Sequence, residues 1–391
     1  MSGLTRYLTS AGLDLSSVFM PLSFGQPYPI ETGYKLSTGV DLNTVFCKKY
    51  SSTAANNTSL LLSDGQDLSD VFDKLHTTGY TGIAATRSDI IRVAYPFDQL
   101  NVYVGGDNGL VSKWNGSTFT NLAALNNSVR GIYTKDTTNL YMGGLFSNAG
   151  YTYFAKWNGT TYSSVGGTII NNTVFGMFAL DPSNVYIGGF FTNGGAIGSR
   201  VSKLNTHSDT FSALGSTALN NTVRAIYALD PSNVYIGGAF TNGGTIGDGI
   251  TRWDGTQFNK VGTGVGPAGS SAAVYAIYAL DTSHVYIGGL FTSFDGVAGT
   301  SKIAMFNGTS FEPLGTGLGG TQVQAIYASD PYHVYVGGVG INAMWNGNTF
   351  IATSTGAYSY NYINSIQNNN SLLYIGASAT SSGGVMRIYI T

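Results

Sequence analysis

Residues 222–262 run TVRAIYALDPSNVYIGGAFTNGGTIGDGITRWDGTQFNKVG, and nearly everything after residue 88 is an edited copy of this stretch. Val223-Arg224-Ala225-Ile226-Tyr227 mixes β-branched and aromatic residues, then stops at Asp230-Pro231-Ser232-Asn233, which favours an Asx-type turn. A second run, Val234-Tyr235-Ile236, ends on Gly237-Gly238, where the missing Cβ atoms let a neighbour come close. After a polar loop, Ile250-Thr251-Arg252-Trp253 meets Asp254-Gly255, a tight hairpin turn, and Gln257-Phe258-Asn259-Lys260-Val261 follows. The unit therefore predicts four short antiparallel strands, a to d.

The glycine pair or its stand-in recurs at Gly105-Gly106, Gly143-Gly144, Gly188-Gly189, Gly237-Gly238, Gly288-Gly289, Gly337-Gly338 and Gly376-Ala377, which makes seven units. The c–d hairpin recurs at Trp114-Asn115-Gly116, Trp157-Asn158-Gly159, Trp253-Asp254-Gly255, Phe306-Asn307-Gly308 and Trp345-Asn346-Gly347. Three of these turns also spell N-x-S/T, at Asn115, Asn158 and Asn307, and turn formation accounts for them without glycans. A four-stranded sheet cannot bury both faces alone, so the copies must stack, and radial closure leaves only short, protected edges.

In its VYIGG and RWDGTQF segments the chain resembles the kelch-type, galactose-oxidase-like β-propellers. The resemblance implies an all-β, seven-bladed β-propeller of four-stranded blades over residues 78–391. The last unit offers strand a (362–366), strand b (372–375) and strand c (385–390), but no strand d before the chain stops. Residues 80–86 have no blade of their own, so they are expected to supply that outer strand and close the ring.

Charged residues make up 10% of the chain and the net charge is -2, which gives no electrostatic footprint for nucleic acid. No stretch approaches membrane-spanning length, so no membrane insertion is expected. Cys47 is the one cysteine, so no intramolecular disulfide can form, and the N-terminus lacks a signal-peptide pattern, pointing to synthesis in a cytosol.

Residues 1–77 form a separate arm with three G-x-DL-x-x-VF copies, at Gly12-Leu13-Asp14-Leu15, Gly39-Val40-Asp41-Leu42 and Gly65-Gln66-Asp67-Leu68. Each aspartate can cap a helical turn that carries an apolar stripe: Leu15/Val18/Phe19, Leu42/Val45/Phe46 and Leu68/Val71/Phe72. No copy can bury its own stripe, so the stripes cap the propeller or dock on a partner. The pattern resembles structural proteins of large DNA viruses of protists and algae, which implies a giant-virus capsid or other virion protein as partner.

Enzymatic constellations are hard to find. The S-x-D-x-G-x-x-W box of propeller sialidases is missing, and the copper site of galactose oxidase has no counterpart, because Cys47 lies outside the repeats. His284 and His333 stand where Asn184 and Asn233 stand in other units, so turn hydrogen bonding explains them better than a metal, and no cofactor is expected. Arg92, Arg130 and Arg224 share the entry position of strand a, with Gln324 and Asn364 there in units six and seven. Six residues on, Asp98, Asp136, Asp181, Asp230, Asp281 and Asp330 close the same strand. Strand a lines a propeller's channel, so the arginines should meet at one mouth and could hold an anion, unless they only satisfy neighbouring carbonyls. The b–c loops of units three to five are the longest, and Phe294, Asp295 and Tyr332 are candidate rim contacts for a host-surface glycan or protein.

These features point to a non-enzymatic structural or recognition protein, made in a host cytoplasm and carried on a virion. A carbohydrate-binding or carbohydrate-active propeller, extracellular or on a cell surface, is the alternative, followed by an intracellular kelch-like adaptor.

Overall fold

In the computed structural model, residues 81–87, 90–269, 271–352, 362–369, 372–378 and 383–389 are described. All fall in the unit Gly79–Ile390, one of two into which the chain divides. The docking stripes at Leu15, Val18, Phe19, Leu42, Val45, Phe46, Leu68, Val71 and Phe72 lie outside the described residues.

Unit four realises the predicted pattern: strand a is Val223–Asp230, b is Asn233–Thr241, c is Asp248–Trp253 and d is Phe258–Lys260, paired antiparallel in the order a-b-c-d. Units one, two, three and five are four-stranded sheets of the same order. Each c–d hairpin of the Asn/Asp-Gly type turns on a side-chain cap. Asp254 Oδ1 accepts from the N–H groups of Thr256 and Gln257, at 2.8 Å each, and Gly255 takes a φ of 97° that a side chain would oppose. Asn115, Asn158, Asn307 and Asn346 cap their turns in the same way. The all-β architecture is thus a β-propeller of four-stranded repeats.

Seven separate blades were expected, but six blade sheets are present among the described residues, with a two-stranded ribbon between Pro267–Ala268 and Ser293–Phe294. Units six and seven share one eight-stranded sheet, joined where Val339 of unit six pairs with Tyr362 of unit seven. The b–c connection of unit six is a single residue, Gly340, between strands His333–Val339 and Ile341–Trp345, which leaves the end of its strand b free to meet Tyr362. Thr81–Arg87 pairs antiparallel with Gly383–Tyr389, with Thr81 opposite Arg387 and Ile83 opposite Val385. The two ends of the repeat region also meet through unit one: the Ala94 N–H donates to Ser365 Oγ at 3.1 Å, and Asn364 Nδ2 donates to the Ile91 carbonyl at 2.6 Å.

The glycine doublet is what lets the units pack. A Cβ on Gly237 would lie 2.5 Å from Cγ1 of Val274, which opens strand a of the next unit, and one on Gly238 would lie 2.0 Å from the Thr222 carbonyl oxygen of its own unit. The first contact recurs around the ring, ending with Gly376 against Ile91. Strand-b tyrosines Tyr103, Tyr141, Tyr186, Tyr235, Tyr286 and Tyr374 are fully buried between units. The core is therefore a series of inter-unit layers, in which each strand a packs on strand b of the unit before it.

Candidate functional site at the arginine mouth

Strand a has an irregularity that places the site. In unit four Val223 pairs with Gly238 and Ala225 with Gly237, so Arg224 is an extra residue with no partner across the ladder, a β-bulge. The same shift occurs at Arg92, Arg130, Phe175, Tyr275, Gln324 and Asn364. A bulge bends the strand and re-aims the side chain of the inserted residue. Here all seven inserted residues, with Gln322, line one cavity of roughly 250 Å³. The arginines do gather at one mouth, at the end where strand a begins and the b–c loops emerge.

The three arginines are not equivalent. Arg92 is satisfied: Nε donates to Asp107 Oδ1 at 2.7 Å, Nη2 to Oδ2 at 2.6 Å, and Nη1 to Asn364 Oδ1 at 3.4 Å. Burial alone would raise the Asp107 pKa, but the Arg92 bonds and charge, with the Ser128 hydroxyl, hold the carboxyl below its ordinary value. Arg130 and Arg224 lie over aromatic rings instead. The Arg130 guanidinium carbon is 5.7 Å from the Phe175 ring centre, and that of Arg224 is 4.8 Å from Phe175 and 4.9 Å from Tyr275. Such contacts contribute about 0.5–2 kcal/mol each. The Nε atoms of both, and Oε1 of Gln324, are enclosed without a hydrogen-bond partner. Burial, then repulsion from Arg92, lowers the Arg130 pKa to about 10, with the Asp107 charge opposing; it still carries its proton at neutral pH. With Asp107 engaged by Arg92, the mouth holds more positive charge than its own side chains neutralise.

The alternative that the arginines merely satisfy neighbouring carbonyls does not describe Arg130 and Arg224, for which no carbonyl bond is seen among the described residues. Phe175 and Tyr275 are the members that the sequence analysis left out. They stand at the same offset from their glycine doublets as Arg224, and that offset is the signal that finds them.

Three residues further along strand a, Phe178, Tyr227, Tyr278 and Tyr327 meet one another from unit to unit, with ring centroids 4.7, 4.8 and 5.2 Å apart and planes inclined at 45°, 50° and 71°. Burial pushes the hydroxyls of Tyr227, Tyr278 and Tyr327 above their ordinary pKa. At the far end the aspartates close Asx turns: Asp230 Oδ1 accepts from the Ser232 N–H at 2.7 Å, and its Oδ2 from Asn233 Nδ2 at 2.9 Å. His284 and His333 replace that asparagine, their Nδ1 atoms lying 3.0 Å from Asp281 and 2.8 Å from Asp330, so turn bonding accounts for both.

The rim expectations need correction. Phe294 is fully buried, with its ring 5.3 Å from Phe291 and 4.5 Å from Phe311, because the loop folds inward as part of the ribbon with Pro267. Asp295 is held by the Thr263 hydroxyl and, at 3.1 Å, the Thr263 N–H, which ties two loops together. Tyr332 is exposed, but it sits in the a–b turn at the opposite end of the ring from the b–c loops. On the arginine side the loops are held by asparagine clasps that the sequence analysis missed. In unit four Asn220 Oδ1 accepts from the Thr241 N–H at 2.9 Å, while the Asn220 N–H donates to Asn242 Oδ1 at 3.0 Å. The signal is the repeated N-N-S/T triplet before strand a, at Asn126, Asn171 and Asn220.

No protein-family model and no curated protein matches the chain. Solved structures do resemble it. The extracellular domain of the B. thetaiotaomicron protein BT4673 aligns at 14% identity and a TM-score of 0.57 over 79% of this chain, which spans 40% of that structure. The WD40 β-propeller domain of Doa1 aligns at 15% identity and a TM-score of 0.54, covering 79% of this chain and 97% of that one. The WD40 repeats of RRP9 align at 13% identity and a TM-score of 0.55, covering 80% and 97%. The kelch subtype is not what these likenesses carry: at such identities they establish the fold alone, a β-propeller with WD40-like neighbours.

Proposed function

We propose that the chain is a non-enzymatic recognition and assembly protein, in which the propeller presents a binding mouth and residues 1–77 tether it to a larger particle. The observation that carries this reading is the convergence of one bulged residue per unit on a single mouth, where two cations rest on aromatic rings rather than on acids. Propellers often mediate protein–protein interaction, and a rigid ring holds such a mouth in shape with little ordering cost on binding. The kelch-type assignment draws on the doublet-and-hairpin pattern, and the virion setting on the three G-x-DL-x-x-VF copies.

Light scattering and co-sedimentation test it. The full-length protein should associate with itself or with a capsid protein, while residues 78–391 stay monomeric. A monomeric full-length protein that is absent from purified particles contradicts the reading.

A further inference from the structure

We infer that the arginine mouth binds a small carboxylate with a hydroxyl on a neighbouring carbon, either a free hydroxy acid or an acidic sugar. This deepens the recognition reading and rests on it.

The anion follows from charge. Arg130 and Arg224 line the cavity without an ion pair or hydrogen bond among the described residues, and Asp107, whose charge acts on Arg130, is bound in both its oxygens by Arg92. Guanidinium forks match the two oxygens of a carboxylate, and two of them lining one cavity, both against Phe175, favour an anion over a neutral sugar. The hydroxyl follows from Gln324, whose Oε1 has no donor. An enclosed acceptor left unmade is costly, so a ligand that brings a donor beside its anion relieves both defects together. Size sets the limit: roughly 250 Å³ admits one sugar-sized or smaller group, well short of a drug-sized ligand. Phe175 and Tyr275 keep the guanidinium groups in place before binding, so little ordering is left to do.

The test is a thermal-shift series on the full-length protein at low salt, with acetate, glycolate, glucuronate and sulfate as probes. Glycolate and glucuronate should raise Tm by about 2–4 °C at ten times their Kd, and acetate and sulfate should need higher concentrations. The order of glycolate and glucuronate tells a free acid from a sugar. The double variant R130Q/R224Q should lose the shift from every probe. Q324L should retain the acetate response and lose the advantage of glycolate over acetate, so it stays informative if the double variant folds poorly. No shift with any carboxylate, an unchanged shift in R130Q/R224Q, or equal responses to acetate and glycolate in the wild type would overturn the inference. Particle association scored in the same preparations would then show whether the broader recognition role survives without it.

Discussion

At the lower end, six residues past the bulge, each of the first six units carries an aspartate, at the end of strand a or, in unit two, just beyond it, whereas at the upper end the bulge itself carries Arg, Arg, Phe, Arg, Tyr, Gln and Asn in turn around the seven units. The lower carboxylates are consumed by the turn that follows, each accepting a backbone N–H two residues on, from Leu100, Thr138, Ser183, Ser232, Ser283 and Tyr332. The upper side chains stand on one repeated backbone device, the bulge opposite the glycine doublet, yet differ from unit to unit and leave polar atoms unpaired. A repeated side chain that satisfies its own turn serves the scaffold. A repeated backbone feature that displays different side chains toward one cavity is what the proposed recognition role draws on. The comparison separates the two roles without reference to any other sequence.

The scaffold half of the comparison can be broken hardest at the doublet. In G238A the new methyl would sit 2.0 Å from the Thr222 carbonyl oxygen, a backbone atom just before the bulge that cannot swing aside as a side chain would. We expect a loss of about 3 kcal/mol or more in urea unfolding, at the upper end of what overpacking costs. A near-neutral G238A would mean that the bulge is not fixed by the doublet, and the geometry of the mouth would lose its cause.

A smaller effect sharpens the lower mouth. The Asp136 pKa stands at about 2: burial, the largest single influence, would raise it, but the Thr138 hydroxyl, the Thr138 and Asn139 N–H groups and the Asn139 side chain together outweigh it and favour the charged form. Its folded value lies below its unfolded value near 4, so its contribution is full above about pH 4 and is lost as pH falls through about 2. D136N should keep the turn through its own side-chain oxygen and flatten the fall in Tm across that window. Because Asp136 is largely solvated, the change should be a fraction of the total acid sensitivity and should shrink in salt. An identical pH profile in D136N would remove the electrostatic part of the turn argument.

Much of this was legible in the residues. The strand order within a unit, the hairpin caps and the gathering of Arg92, Arg130 and Arg224 follow from repeat offsets, because a repeated offset becomes a repeated position in the ring. The bulge was not legible, since an extra residue is defined only by the register across to strand b, and local alternation does not reveal it. Phe175 and Tyr275 were passed over because aromatic residues in a strand look like core, although here they support cations. Phe294 was misplaced for the converse reason: a loop position suggests exposure, and the fold turned it inward against Phe311. The sharing of one sheet by units six and seven depends on a single pair, Val339 with Tyr362, which no pattern within either unit announces.

The central claim is that the upper mouth is built for a ligand and the lower mouth for the fold, and ligand-free unfolding of two double variants tests it most directly. D230A/D281A should lose about 1 kcal/mol per turn, since each aspartate accepts from a backbone N–H and a side chain. R130Q/R224Q should leave Tm close to that of wild type, because the ring contacts it gives up are offset by the relief of two enclosed cations without a hydrogen-bonded acid, Arg130 being depressed by burial and by Arg92. A loss in R130Q/R224Q as large as that in D230A/D281A would make the arginines scaffold like the aspartates and would contradict the claim.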